Sequence, residues 1–314
     1  MSKDPSAAWK ARQKRWRRFV QGGVKAMEAG TAIPIGPSPT PLVPPVTLPV
    51  AASPAKILVC APHPDDESLL GALPLRLRLE TGAQVTDCAV TLGSNRGQRP
   101  RRLRELESAC RVLGYDLIVP LHPAGFDNVN LETRRNHPQE WVEKVQALRE
   151  IFDRVLPDVV FAPHSEDGNT THIGTHYLAV DALGAHLEGT GRGPLPFVEM
   201  EYWHQLSQPN LMVGVTAEVE ALLLMATAEH GGEVSRNPYH LRHPGRMMEN
   251  VRRGSEVVGG QGAAAQPFLF AELYRVTFMV GKEIIAPRPG GCIVGPTEKI
   301  DAAWLTEQFW PQAS

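Results

Sequence analysis

The strongest constraint on the fold is a regular alternation of short apolar runs with longer helical patterns, which begins at residue 56. The runs KILVCA, AQVTDCAVTLG, DLIVPL and VVFAP have the length of buried strands. Helical periodicity follows each of them, at residues 68–82, 100–114, 141–158 and 175–187. This spacing predicts an α/β fold in which helices cover both faces of a mostly parallel sheet, a Rossmann-like three-layer arrangement. Functional sites in such sheets lie at the carboxyl ends of the strands.

The chain divides by composition into three parts. Residues 1–50 are predicted to be a basic N-terminal arm followed by a Pro-rich linker, because prolines crowd residues 33–49 and exclude regular structure there. A domain is expected at residues 51–290, with later strands near FVEMEYW and LYRVTFM around a helix at 217–230. Residues 291–314 are expected to be a C-terminal tail.

The arm is strongly basic, since the first thirty residues hold eight Lys or Arg against two acids. It is predicted to be a helix with Trp9, Trp16, Val20 and Met27 on one side. Contact with an anionic surface, a solvated arm and a packed appendage are all open interpretations. The whole chain has a formal net charge of only −2, which gives no general attraction to nucleic acid or membranes.

Cysteine usage and hydropathy indicate a cytoplasmic protein. The four cysteines, Cys60, Cys88, Cys110 and Cys292, show no CxxC spacing, so reduced and packed thiols are expected. The sequence contains no run of eighteen apolar residues, so no membrane span is expected. The N-terminus also lacks an apolar segment followed by a small-residue cleavage site. We expect no nucleic-acid partner, and homo-oligomerisation is left open.

Histidine and acidic residues cluster directly after two of the apolar runs. APHPDDE occupies residues 61–67, and APHSEDGNTTHIGTH occupies residues 162–176. In a parallel sheet both clusters lie at the same edge, where His63 and Asp66 could share a divalent metal with a histidine of the second cluster. The alternative for the acids is helix capping, because carboxylates interact favourably with a helix N-terminus. Capping leaves the histidines unexplained, so a metal site is the better interpretation.

The motif APHPDDE resembles the signature of the PIG-L/LmbE-like zinc-dependent N-deacetylases. The resemblance extends through TLGSNRGQRPRRLRELESACRVLG, which is similar to that family's arginine-rich turn and the helix after it. It reaches the histidines at 172–176 and, more weakly, EYW and PNLMVGVT, and so covers about residues 55–280. The resemblance implies a zinc-dependent hydrolase of linear amides. Such an enzyme removes an acyl group, in most members acetyl, from an N-acetylglucosamine-like sugar or conjugate.

Roles for the clustered residues are carried over by position. The resemblance implies that His63 and Asp66 bind zinc and that Asp65 is the general base on a zinc-bound water. His172 aligns with the third metal ligand of the family. Iron or another divalent ion could take the place of zinc.

The second cluster departs from the family pattern at one position. Asn169 stands where the family has a histidine that helps to polarise the amide carbonyl. An asparagine can donate a hydrogen bond to a developing oxyanion, but it cannot act as an imidazolium acid. His164 or His176 could therefore have taken over this role. His176 lies one helical turn after His172, so it is also an alternative metal ligand.

Three further residues are predicted to bind substrate. Arg102 aligns with an arginine that contacts the sugar conjugate in relatives, and Asp127 with an acid that holds sugar hydroxyls. Asn95 follows the second strand at the active edge of the sheet. The basic segment at residues 236–262 is interpreted as a lid, cap or oligomer contact that could select an anionic group.

Two alternative functions are also consistent with the sequence. An amidase that acts on a thiol conjugate or on a non-sugar N-acyl metabolite would use the same chemistry. A non-catalytic ligand-binding module would instead explain the altered second cluster. The intact acids of APHPDDE favour an enzyme over this module.

Overall fold

The structure, a computed structural model, describes residues 5–40, 48–49 and 52–311. The chain separates into two compact units, Met1–Ile35 and Gly36–Ser314. The two histidine-and-acid clusters of the sequence, residues 61–67 and 162–176, both lie in the second unit.

The first unit holds one long helix, α1 (Pro5–Thr31), in agreement with the helical arm predicted from the sequence. Its side chains from residue 6 to residue 29 are exposed. Much of the predicted Pro-rich linker, residues 41–47 and 50–51, lies outside the described residues. Among the helices that the structure describes, none is both long enough and apolar enough to cross a bilayer.

The second unit is built on one mixed sheet. Within residues 52–311 its strands are β1 (Lys56–Ala61), β2 (Gln84–Ala89), β3 (Asp116–Ile118), β4 (Val159–Pro163), β5 (Leu195–Met200), β6 (Leu211–Val215), β7 (Phe270–Val280), β8 (Glu283–Ile285) and β9 (Cys292–Val294). The strand order is β3-β2-β1-β4-β5-β7-β6-β9, and β8 pairs with β7. Strands β1 to β5 run parallel, whereas β7 is antiparallel to β5 and β6. The predicted α/β fold with a mostly parallel sheet is confirmed.

Helices connect the strands and cover both faces of the sheet. They are α2 (Asp66–Leu69), α3 (Ala72–Thr81), a 3-10 turn (Arg96–Gln98), α4 (Arg99–Leu113), α5 (Leu131–Asn136), α6 (Pro138–Val155), α7 (Thr170–Thr190), α8 (Ala217–Glu229), α9 (Gly231–Val234), α10 (Tyr239–Val257) and α11 (Ala302–Phe309). Helix α4 ends at Gly114, whose φ of 70° gives the left-handed turn that closes a helix.

Strand β1 is buried on both sides, because its alternate residues enter two different hydrophobic clusters. Ile57 and Val59 pack with residues of α3, α4, α8 and α10, and Leu58 and Cys60 pack with residues of α6 and α7. A continuous apolar run is therefore required at β1, as KILVCA provides.

The chain changes from one face of the sheet to the other next to β1. The helices after β1 and β2 pack on the first face, those after β3 and β4 pack on the second, and β1 pairs directly with β4. The loops at the carboxyl ends of β1 and β4 consequently diverge and leave a crevice between them. In open α/β sheets this reversal of strand order is the usual place for a ligand site.

The C-terminal part of the chain differs from the prediction. Within the predicted tail of residues 291–314, the described part up to residue 311 packs on the domain, because β9 pairs with β6, and Leu305 and Phe309 of α11 enter the core. A three-residue strand between Gly291 and Gly295 has no detectable periodicity, so the sequence does not predict this pairing. Residues 236–262, interpreted from the sequence as a lid, cap or oligomer contact, are mostly helical, because α10 runs through them despite Pro244 inside the helix.

Candidate metal centre

The first cluster forms a tight loop between β1 and α2. The backbone N–H of His63 donates to Asp66 Oδ2 at 2.9 Å, and the N–H of Asp66 donates to the carbonyl oxygen of His63 at 3.2 Å. Asp65 lies between them with φ of 116°, a left-handed conformation that is strained for a residue with a side chain. Strain of this kind persists only where the surrounding contacts hold it, which is common at functional sites.

Three side-chain atoms from the two clusters converge at the crevice. His63 Nδ1 lies 3.2 Å from His172 Nε2, and each of these nitrogens lies 3.3 Å from Asp66 Oδ2. His172 comes from the first turn of α7, which follows β4. Asp66 and His172 are buried, and His63 is partly exposed. Within the described part of the chain, these three form the group with metal-ligand spacing.

This triangle has the dimensions of a zinc site. Zinc binds imidazole nitrogens and carboxylate oxygens at about 2.0–2.2 Å, so two ligand atoms at a tetrahedral angle lie about 3.4 Å apart. The three measured separations are 3.2 Å, 3.3 Å and 3.3 Å. Two histidines and one carboxylate leave one position for water or substrate, as in catalytic zinc sites, and the same donors also suit ferrous iron. The residues therefore fit a divalent metal.

The charges of the triad complement one another. Burial alone would raise the pKa of Asp66, but the imidazoles of His172 and His63 outweigh it and hold that pKa below its usual range. Burial lowers the pKa of His172, but the neighbouring carboxylates of Asp66 and Asp167 more than compensate and raise it. Asp66 is consequently ionised and ready to ligate a cation.

Asp167 supports the triad from behind. Its Oδ1 lies 3.5 Å from His172 Nδ1, the ring nitrogen that faces away from the other two ligand atoms. Backbone N–H groups of Asn169 and Trp203 donate to Asp167 at 2.9 Å and 3.0 Å and fix its position. A carboxylate behind a metal-binding histidine sets the orientation and tautomer of the ring.

Asp65 lies beside the triad but has different partners. The Tyr239 hydroxyl donates to Asp65 Oδ2, and the Asp65 backbone N–H donates to Glu67 Oε2 at 2.8 Å. Desolvation in the crevice and the adjacent Asp66 carboxylate raise the pKa of Asp65 to about 7. A carboxyl group with such a pKa can accept and return a proton near neutral pH.

Glu67 belongs to a fully buried ion pair. Its Oε1 lies 2.7 Å from His230 Nε2, and neither side chain is exposed to solvent. Burial lowers the pKa of His230, but the Glu67 carboxylate outweighs it and raises that pKa. Glu67 Oε2 also accepts a hydrogen bond from the Asp65 N–H. The Glu67 carboxylate therefore connects the strained loop to His230 at the junction of α8 and α9.

The structure does not bring His176 to the triad. Its Nδ1 lies 2.9 Å from the carbonyl oxygen of Pro163, and its ring packs edge-on against Tyr177 and Phe197. Burial lowers its pKa to about 4, so the ring is neutral at pH 7. The expectation that His176 could be a ligand or a catalytic residue is corrected. The two histidines share a helix face, but only His172 lines the crevice, and His176 lies one turn further along α7.

Asn169 lies at the crevice and caps α7. Its Oδ1 accepts the backbone N–H of Thr171 at 2.8 Å, which leaves its side-chain amide hydrogens available. His164, the other predicted substitute for the missing histidine, is buried, with Nε2 3.0 Å from the carbonyl oxygen of His204. Of the predicted polarising groups, Asn169 is the one that lines the crevice together with His63 and His172.

Two cavities meet at the triad, because His63, Arg102 and Asn169 line both of them. One has a volume of 580 Å³ and a polar lining that includes Asp127 and Asn130. The other has a volume of 380 Å³ and combines apolar and basic side chains, which are Leu69, Tyr202, Trp203, Arg236, Arg242 and Arg246. A bound molecule could therefore extend to either side of the metal ligands.

Arg102 is held at the wall between the cavities. Its Nη2 donates to the carbonyl oxygen of Pro64 at 3.0 Å, and its Nε lies 3.6 Å from Glu233 Oε1. Gly93 permits this position, since an added Cβ there would lie 2.2 Å from Arg102 Nη1. The φ of Gly93 is 87°, which also favours glycine.

The other two predicted substrate-binding residues lie in different settings. Asp127 lines the polar cavity and is paired with Arg96 and Arg99, and the hydrogen bond from Arg99 lowers its pKa. Asn95 is exposed, and its side-chain oxygen accepts the N–H of Gly97 at 3.1 Å. Asn95 is not among the residues that line these two cavities, and its side chain caps the 3-10 turn.

Sequence reasoning missed several residues of the site. Asp167 lies inside the second cluster and could have been found from its place between two strand-end histidines. Tyr239 and His230 lie far along the chain from both clusters and carry no motif. Their contribution depends on how α8 and α10 pack, which no local pattern encodes.

Comparison with known proteins now adds independent information. Residues 58–183 match the family model described as PIG-L: GlcNAc-PI de-N-acetylase. This stretch of the chain is therefore similar to the PIG-L family. It is also 29% identical, over 155 residues, to 1D-myo-inositol 2-acetamido-2-deoxy-alpha-D-glucopyranoside deacetylase of Mycobacterium leprae, a match that covers 41% of this chain and 50% of that protein. The chain thus spans about half the length of the curated relatives that it matches. The resemblance predicted from the sequence is confirmed.

Solved structures agree on the fold. N,N'-diacetylchitobiose deacetylase from Pyrococcus horikoshii is 18% identical with a TM-score of 0.51, and the match covers 72% of this chain and 84% of that one. A 4-carboxy-2-hydroxymuconate hydratase from Pseudomonas putida is also 18% identical, with a TM-score of 0.52 over 71% of this chain and 96% of that one. Since a hydrolase and a hydratase share this architecture, the reaction must be argued from the site.

Proposed function

We propose that the protein is a zinc-dependent hydrolase that removes an acetyl group from the nitrogen of an N-acetylglucosamine-like sugar or conjugate. The observation that carries the proposal is the triangle of His63, Asp66 and His172 with the Asp65 carboxylate beside it. The match of residues 58–183 to the PIG-L family model and the deacetylase activity named for the mycobacterial relatives support the choice of reaction.

The triad would hold the metal, which supplies a Lewis acid and an acidified water molecule at the amide. Asp65 takes a proton from that water and delivers it to the leaving amine, a role that suits its pKa of about 7. The Tyr239 hydroxyl holds the Asp65 carboxylate in place. Asn169 donates its amide hydrogen to the carbonyl oxygen as negative charge develops there.

The two cavities suggest how the substrate lies. The polar cavity of 580 Å³ suits the sugar ring, because the ionised Asp127 accepts hydrogen bonds from hydroxyls and Arg102 donates to them. The cavity of 380 Å³ suits the group attached to the sugar, with Trp203 and Tyr202 for its apolar part. Its arginines favour an anionic conjugate, which gives a physical basis for selectivity.

The proposal is tested by a screen of N-acetylated amino sugars and their conjugates, with release of free amine as the readout. Zinc-loaded protein should release amine, and protein treated with a chelator should not. Asp65→Asn should abolish release, whereas Asn95→Ala, which lies outside both cavities, serves as the matched control and should keep it. Release from non-sugar N-acyl compounds alone would favour the amidase alternative. Undiminished release by Asp65→Asn would refute the proposed role of this residue.

A further inference from the structure

Helix α1 carries a continuous apolar stripe along one side. Trp9, Trp16, Val20 and Met27 are separated by seven, four and seven residues, so at about 100° per residue they lie within about 40° of one another on the helix. Phe19 and Val24 widen the stripe. All of these side chains are exposed: Trp9 63%, Trp16 62%, Phe19 74%, Val20 61%, Val24 50% and Met27 42%. An exposed apolar stripe of this kind usually marks a surface that binds a protein or a membrane.

The opposite side of the same helix is basic. Lys14, Arg18 and Lys25 lie within about 40° of one another and face away from the stripe. Residues 5–31 contain seven Lys or Arg and one Glu, a formal charge of +6, so the rest of the chain carries −8 within the total of −2. The net charge of α1 is therefore positive, whereas that of the rest of the chain is negative.

We infer that α1 lies in the plane of an anionic lipid bilayer and binds the protein to it. Its apolar stripe enters the boundary between headgroups and acyl chains, where Trp side chains are favoured because they have an apolar ring and a polar N–H. Its basic residues remain at the level of the lipid phosphates. Long Lys and Arg side chains near the stripe, such as Arg12, reach the headgroups while their stems stay in the apolar region.

A lipid surface fits the helix better than the other partners that could cover it. A second copy of α1 would bring two charges of +6 together, which repel each other. A nucleic acid would satisfy the charge but leave the apolar stripe in water. Gly22 and Gly23 lie in the middle of the helix, where an added Cβ would contact nothing within 4 Å. Each costs about 1 kcal/mol of helix stability relative to alanine, so α1 gains from binding to a surface that orders it.

The test is flotation of the full chain with vesicles at 0.15 M salt. Vesicles contain either phosphatidylcholine alone or phosphatidylcholine with phosphatidylglycerol. The wild-type chain should float with the anionic vesicles and remain below with the neutral ones. Trp16→Ser combined with Val20→Ser should lower the partition coefficient at least tenfold, because it removes the centre of the stripe. Lys14→Gln with Arg18→Gln should lower it about 25-fold, since each basic residue near an anionic bilayer is worth about fivefold.

The matched control is Ala11→Ser combined with Gln21→Ser, two changes on the polar side of α1 that should leave flotation unchanged. Helix content measured by circular dichroism shows whether each variant still folds. Equal flotation of the stripe variant and the control would overturn the inference. The inference would also be overturned if the wild-type chain self-associated and only the stripe variant lost this self-association. Binding of the wild-type chain to RNA, with no binding to either kind of vesicle, would overturn it as well.

Discussion

The loss of one partner of the Glu67–His230 ion pair is predicted to be costly because the pair is fully buried. At a separation of 2.7 Å two unit charges attract by about 6 kcal/mol at an effective dielectric constant of about 20, and desolvation offsets part of this. Removal of one partner of a buried pair costs about 3–5 kcal/mol. Glu67→Gln keeps an acceptor for the Asp65 N–H, so we expect a loss near the lower limit, about 3 kcal/mol.

A second histidine–carboxylate pair provides the control. His186 Nδ1 lies 2.6 Å from Asp153 Oδ1, and His186 is fully buried, but the Asp153 side chain is 40% exposed. Water therefore solvates the carboxylate and weakens the pair. Asp153→Asn should cost less than about 1 kcal/mol although the two pairs have nearly the same separation.

Urea unfolding at pH 7 measures both losses. A chelator is present throughout, so that metal binding does not contribute to stability. With a slope of about 3 kcal/mol per molar urea, the midpoint of Glu67→Gln should fall by about 1 M and that of Asp153→Asn by less than about 0.3 M. Equal shifts of the urea midpoint in the two variants would refute the conclusion that burial makes the loss of Glu67 costly.

Three more predictions concern Tyr239, Gly93 and Glu272. Tyr239→Phe removes the hydrogen bond to Asp65, and a hydrogen bond to a charged group contributes about 1.5–3 kcal/mol. The variant should therefore lower kcat for amide hydrolysis by about 10- to 100-fold, while its metal content should not change. Gly93→Ala places a Cβ against Arg102, so kcat/KM should fall about tenfold while bound zinc remains constant. Burial raises the pKa of Glu272 to about 7 from an ordinary 4.5. The folded protein therefore binds the proton on the Glu272 carboxyl group more tightly than the unfolded chain does, and the free energy of unfolding falls as pH rises from 4.5 to about 7. In urea titrations Glu272→Gln should abolish this fall in the free energy of unfolding, which is about 3 kcal/mol in the wild type. An unchanged pH dependence would contradict its assignment to Glu272.

The first half of the domain could be predicted from sequence because its signals are local. Strands β1 to β4 are short apolar runs between helices with clear periodicity, and right-handed crossovers then determine a parallel sheet. The approach of His63 and Asp66 to His172 follows from the same rule, since parallel strands end at one edge. The local pattern thus determined which loops meet.

The second half could not be predicted in the same way. Strand β9 has three residues, and its place beside β6 depends on contacts formed across the whole domain. His176 illustrates a different limit, because helical spacing gives the face of a helix but not which turn of that face borders the crevice. Tyr239 reaches Asp65 only through the packing of α10, so its role becomes visible in three dimensions alone.

Zinc content per chain in Asp65→Asn and Asp66→Asn is the most direct test of the central claim, that one divalent ion lies between the two clusters. After zinc loading and removal of free ion, mass spectrometry of the metal should find one zinc per chain in the wild type and in Asp65→Asn. Asp66→Asn should lose it, because the triangle then lacks its anionic ligand. A full equivalent of zinc in Asp66→Asn, or equal loss in both variants, would contradict the account.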